Sequence, residues 1–572
     1  MRAWRLMTTM VWLLLLGLPL TAIAVELASA PVAWRTWSES VRLLSLAKNT
    51  ALLVAGALAV SIPLGVVTAL LLTRSDLPGQ RAVRGLIVLC LFIPLPVLAS
   101  AWQSALGAGG WLPMPSWRTV APDDPDYSAS GISWKPWAQG LPAAIWVHAL
   151  AALPWVIWLS SRGFAWVESH LEEDALVNGG LRAALRHVTL PRAAPVIGAA
   201  ALWVGVQTAG EITVTDMMQV RTFAEEVYTQ FSRPDPPNPG ETADNALARA
   251  VAVSAPPAVI CALAIGLLYY IWEKRLPPLA ESPRPFCLIR LGRWRWPAFM
   301  AFSLLLGLLI GIPVVSLIWK TGQVPPGDSW SRGVSRHALA WAWQTQGELV
   351  EISLIWSLAA GIVVTVLALM SCWLARDVHW PRGWMLATLA LAALLPGPVV
   401  GIGLKAAINY LLDAEAHVAP DPFHWLRIAL YDGPSHVPVL WASVIRFLPL
   451  AIAIVWPPVR FTPRELVEIA WTDGATAAQE LRHVVAPGLV PALGRVTIAV
   501  AALSLGELSA GKLVETPGGE TFAHEVFMQM HYGVGNHLAA MCLMLLGAVA
   551  VLVIAGGSVI RWYEGRQRRI EA

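Results

Sequence analysis

Two glutamates, Glu211 and Glu507, interrupt apolar stretches of this 572-residue chain, each directly after a glycine, Gly210 and Gly506. A carboxylate there is costly unless it faces protein or water, so the pair reads either as lining a polar path or as pairing with a base or capping a bent helix. Counted from Pro195 or Pro491 as helix start, each lies sixteen residues on. That is roughly 24 Å along an axis at 1.5 Å per residue, still within hydrocarbon depth but near its edge. Two hard oxygen donors suit a cation such as ferric ion. Pro94 and Pro96, matched by Pro396 and Pro398, interrupt two other apolar stretches. They read as kinks or as cavity lining, because proline frees backbone carbonyls that protein or water must then satisfy. Lys405 and Arg446 should likewise face the interior or an acidic partner.

Other chemistry is set aside. Gly506 to Leu513, GELSAGKL, approaches a phosphate-binding loop but places Leu513 where Ser or Thr must hold magnesium. The histidines, His524 and His531 among them, lack metal-ligand spacing, and the five cysteines form no CxxC pair. No catalytic residue, no metal site and no cofactor of the chain's own is expected.

The elements that position these residues are helices in lipid. With 56% hydrophobic residues, 13% charged and a mean hydropathy of +0.59, the chain has more apolar surface than a soluble fold of this size can bury. The net charge of +3 implies no nucleic-acid partner. Apolar runs near 6–25, 46–72, 83–106, 140–163, 194–218 and 247–272, then 297–319, 347–375, 384–412, 436–460, 489–513 and 533–557, predict an all-α membrane protein of about 12 transmembrane helices. The first run, after Arg2 and Arg5, also has the features of a signal peptide; its length favours a span. Arginines recur on every second loop and at the tail, which predicts both termini in the cytoplasm. Tryptophans such as Trp34, Trp37, Trp111 and Trp137, on the opposite loops, read as interfacial anchors.

The chain is a tandem repeat: 1–272, a cytoplasmic linker at 273–296, and 297–572. Arg186, His187, Val188, Pro191, Pro195, Gly210 and Glu211 recur as Arg482, His483, Val484, Pro487, Pro491, Gly506 and Glu507, all displaced by 296 positions. Thr222, Phe223, Ala224, Glu226, Val227 and Gln230 recur 299 positions on. Six spans per copy keep both copies in one orientation, as parallel repeats about the membrane normal.

The cytoplasmic loops 169–192 and 462–487 carry the sharpest signal. Ser169 with Glu172, and Thr462 with Glu465, predict capping boxes, with Pro463 at the first helical position. Each short helix should stop at Gly179 or Gly474, and Thr476 with Gln479 should start another. Here Glu173, Ala175, Gly179 and Pro191, with Glu468, Ala470, Gly474 and Pro487, resemble the EAA loop of binding-protein-dependent ABC importer permeases. The whole chain is similar to a type I permease with two fused copies, as in ferric-iron and thiamine permeases. Asp174 and Ile469 depart from the motif's middle alanine, and Gly179 to Pro191 is one residue shorter than Gly474 to Pro487. The resemblance implies a bacterial inner-membrane subunit whose loops dock on a cytoplasmic ABC ATPase dimer, with ATP and magnesium held by that partner. It also implies an extracytoplasmic solute-binding protein. The outer segment Pro517 to Thr521 resembles the ferric-iron branch, with thiamine, polyamine and phosphonate as alternatives. An ion-coupled secondary transporter is the rival reading.

Overall fold

The computed structural model describes residues 2–29, 40–107, 137–232, 248–256, 288–324, 329–376, 395–418 and 425–571, with short pieces at 34, 37, 110–112, 117–118, 133–134, 259–260, 263 and 392. These residues are almost entirely helical; the strands are two-residue pairs, Trp117–Arg118 with Ser133–Trp134 and Gln323–Val324 with Ser329–Trp330. Among them, nine helices are long and apolar enough to cross a membrane, or ten if a bent pair counts as one. The chain is thus an all-α, multi-pass membrane protein. Most of the span expected at 247–272 and most of the linker lie outside the described residues. Large apolar side chains such as Leu44, Val67, Ile355 and Val551 point outward from the long helices, which suits a lipid-facing surface.

Each of the five π-helical segments among the described residues ends two positions before a proline: Leu13–Gly17 before Pro19, Leu185–Thr189 before Pro191, Gly307–Gly311 before Pro313, Ile428–Asp432 before Pro434 and Leu481–Val485 before Pro487. Proline cannot donate to the carbonyl four residues back, and its ring collides with it; a widened turn relieves both. Four of the five form two matched pairs between the repeats, so the repeat extends to backbone detail.

The third span of the first repeat is no single kinked helix. Gln80–Cys90 and Leu95–Leu106 are separate pieces bent by 101°, with Pro94 as N-cap of the second and Pro96 in its first turn. Pro396 and Pro398 stand at the same places before and within Gly397–Val418.

Packing does not follow the sequence repeat. The first helix, through Leu18–Ser29, lies on Gly397–Val418 of the second copy. Trp12 donates from Nε1 to Ser371 Oγ (2.8 Å), and Trp441 to the Leu15 carbonyl (2.8 Å). Reciprocally, Ile312–Thr321 from the second copy packs on Leu95–Leu106 of the first, and so does Asn536–Glu571. Trp12 and Leu16 accordingly belong to a core made of second-repeat residues. In lipid this exchange is held by close packing and buried hydrogen bonds, since apolar tails already solvate the side chains.

Candidate functional site

In the first loop, Ser169–Ala184 begins with Glu168 as N-cap, and no side chain caps it. The expected capping box of Ser169 and Glu172 does not form, because Glu172 turns inward. Its Oε2 lies 3.0 Å from Arg74 Nη2 and its Oε1 accepts from Thr189 Oγ1 at 2.8 Å. Arg74, the last residue of Ser40–Arg74, also donates to the carbonyls of Phe164 (2.7 Å) and Val167 (3.0 Å). Both members of the pair are fully buried, at 2% and 0% side-chain exposure. The break in the loop falls at Gly180, with φ +72°, one residue beyond the expected Gly179. Glu173 is exposed and Ala175 half-buried, while Pro191 sits in the first turn of Leu190–Ala209.

In the second loop, Arg464–Thr472 is preceded by Pro463 as N-cap, so the Thr462 and Glu465 box does not form and Pro463 is one place earlier than expected. Gly474 does adopt a left-handed conformation, φ +77°. Thr476 and Gln479 form a complete capping box. Glu468 is exposed, Ala470 half-buried, and Pro487 opens Ala486–Leu505. The buried acid here is Glu480, which accepts from Arg376 (2.9 Å), Trp373 (3.2 Å) and Trp471 (2.9 Å). Arg376 directly follows Arg332–Ala375, the counterpart of Ser40–Arg74. Each loop is therefore tied to an arginine at the end of its repeat's second helix, by an acid that differs between the copies. Sequence reasoning missed Arg74, Glu172, Arg376 and Glu480. Aligned without a gap on Pro191 and Pro487, Glu172 falls on the exposed Glu468 and Glu480 on Ala184, so the repeat pointed to neither anchoring acid.

The linker's end meets the first loop's anchor. Ile289 N–H donates to the Arg74 carbonyl (2.8 Å) and Leu291 N–H to Asp76 Oδ1 (2.8 Å), so both lie on one side of the helices. Outward-facing apolar residues remain on each loop, Val177 and Leu181 on the first and Leu466, Ile469 and Trp471 on the second.

Far from the loops, the ends of the fifth spans meet the third spans crosswise. Leu190–Ala209 stops at Gly210 and Ala486–Leu505 at Gly506, so Glu211 and Glu507 lie past the helix ends rather than on a helix face. A side-chain carbon at Gly210 would come within 2.9 Å of Pro396, and one at Gly506 within 2.8 Å of Pro94. The glycine of each copy thus abuts the proline of the other. Between them opens a cavity of about 1050 Å³, counting the part open to solvent, lined by Glu211, Glu507, Pro94, Pro96, His148 and Arg446 together with apolar and aromatic walls.

Both carboxylates line this cavity and both cap the next short helix. Glu211 accepts from the amides of Thr213 (2.6 Å) and Val214 (2.9 Å). Glu507 accepts from those of Ala510 (3.2 Å) and Gly511 (3.1 Å), and from Arg446 Nη1 at 2.7 Å. Arg446 has the acidic partner expected of it. Lys405 stands over the ring of Phe231 (4.9 Å) and Lys512 over Tyr228 (4.0 Å), both reaching from the second copy to the first, and Lys512 also stands over Phe527 of its own copy (4.1 Å). His524 pairs with Glu515, and His531 with Asp216 at 3.1 Å. Among the described residues no group of three or more His, Cys, Asp or Glu is placed to hold a metal ion. No protein-family model matches the chain, and neither does any curated protein.

Proposed function

We propose that this chain is the membrane-spanning permease of an ATP-driven importer in a bacterial inner membrane, a single polypeptide that forms the whole pathway. A separate cytoplasmic ATPase dimer binds ATP and magnesium, an extracytoplasmic protein delivers the solute, and ferric iron is the solute of first choice. The observation that carries this reading is the pair of loops. Each is a short helix, a left-handed glycine and a second helix, tied by an arginine to its repeat and presenting outward-facing apolar side chains. Parallel repeats put two such surfaces on one side, which suits a two-fold symmetric partner. A secondary transporter has no use for two matched docking loops.

Purifying the chain from its native membrane tests the proposal. A nucleotide-hydrolysing subunit should accompany it, and hydrolysis should rise when a binding protein loaded with ferric ion is added. A chain that transports alone, driven by an ion gradient, would sink the importer reading.

The coupling role makes a second prediction. At Gly474 the left-handed backbone excludes a β-branched side chain, which would cost about 1–2 kcal/mol and tilt one loop helix against the other. Gly474→Val should lower transport at least about tenfold, the equivalent of 1.4 kcal/mol, with the ATPase still bound and the membrane helices intact. Unchanged transport would remove Gly474 from the coupling machinery.

A further inference from the structure

The two repeats do not line the central cavity alike. Trp146, Leu153 and Pro154 recur as Trp441, Leu448 and Pro449, all displaced by 295 positions, so Arg446 answers to Ala151 and the first copy lacks the base. Glu507 is consumed by Arg446 and two backbone amides. Glu211 is held by the Thr213 and Val214 amides and the Thr213 side chain, and among the described residues no arginine or lysine forms an ion pair with it. Beside it is His148, 3% exposed, with Nε2 at 3.8 Å from Glu211 Oε2 and without a hydrogen-bond partner. Trp155 and Trp203, rings 5.4 Å apart, also line the cavity, about two helical turns along from His148 and Glu211. With both carboxylates ionised and His148 neutral, the lining residues Glu211, Glu507, Arg446 and His148 leave one negative charge uncompensated in a largely apolar cavity, a costly state unless a cation visits it.

We infer that the cavity holds the positively charged part of the transported solute off the repeat axis, at Glu211 and His148 of the first copy, while Glu507 and Arg446 form a fixed structural pair. The carboxylate supplies the charge and the imidazole nitrogen a further donor or acceptor. That the solute is transported rests on the permease reading; the cation site itself does not.

The test is labelling of a Gln207→Cys variant, a cavity-lining position, in the full chain in lipid nanodiscs. Thiosulfonate reagents bearing trimethylammonium or sulfonate are compared, and the labelled peptide is followed by mass spectrometry. With both rates divided by those for a free thiol in solution, where the thiolate already favours the cation, the cationic reagent should keep about a tenfold preference, as expected where one charge focuses the field of a low-dielectric cleft. Adding Glu211→Gln should abolish that preference. So should Ala151→Arg, which plants in the first copy the base the second already carries and leaves the Glu211 caps untouched. Terbium(III), a soluble hard trivalent ion, and putrescine serve as separate competitors; slowing by the first assigns a metal cation, by the second an ammonium. Absence of labelling, equal normalised rates in the parent, a normalised preference that survives both variants, or slowing by neither competitor would each overturn the inference. No ATPase is needed for this experiment, so its outcome is separate from the copurification that tests the importer.

Discussion

Arg74→Met is expected to lower both the yield of assembled protein and its thermal midpoint, and to do so by more than Arg376→Met. Removing one member of a buried ion pair leaves the other charge without compensation, which costs about 3–5 kcal/mol. Arg74 and Glu172 are fully buried, and the same guanidinium ties down the Phe164 and Val167 carbonyls, so three elements lose their common anchor. Arg376 is 10% exposed, and without it Glu480 keeps two indole donors, Trp373 and Trp471. The double variant Arg74→Met with Glu172→Leu should recover much of the loss, because two apolar side chains replace two charges. The measurement is the midpoint of thermal aggregation in detergent for all three proteins. A smaller effect at Arg74 than at Arg376 would mean that the first loop is held by something other than this pair.

Gly210→Ala is expected to impair assembly and transport more severely than Gly506→Ala. Neither glycine needs its position for backbone reasons, since both have φ near −100°. The constraint is the crossing between repeats. At Gly210 the new methyl meets the Pro396 Cα, fixed main chain, at 2.9 Å; at Gly506 it meets Pro94 ring carbons at 2.8 and 2.9 Å, which a change of pucker can move. Overpacking of this kind costs about 1–3 kcal/mol, with the larger figure where nothing yields. Uptake and the monodisperse fraction on gel filtration report the two effects. If both alanine variants behave as the parent does, the glycine and proline crossing is not a tight contact in the membrane.

Much of the fold could be read from the chain because it depends on near neighbours and on the solvent. Long apolar runs have to span lipid, and Thr476 with Gln479 has to cap a helix, whatever lies elsewhere. The repeat was visible as identities at constant spacing, and it located the loops and the two glutamates. What the sequence did not determine were matters settled across hundreds of residues. Glu172 fits a capping box by spacing, but Arg74, about a hundred positions away, offers a charge partner that a local amide cannot match. Glu211 and Glu507 were expected within a helix by residue counting, yet the helices end one residue earlier, where Gly210 and Gly506 meet the prolines of the opposite copy. The first helix joins the second copy, and a single arginine with no counterpart makes the cavity asymmetric, although the flanking sequences match. Local patterning sets which segments become helices and where they bend; which buried charge finds which partner is decided by how distant helices pack, because in lipid each polar group takes the best partner the packed bundle offers.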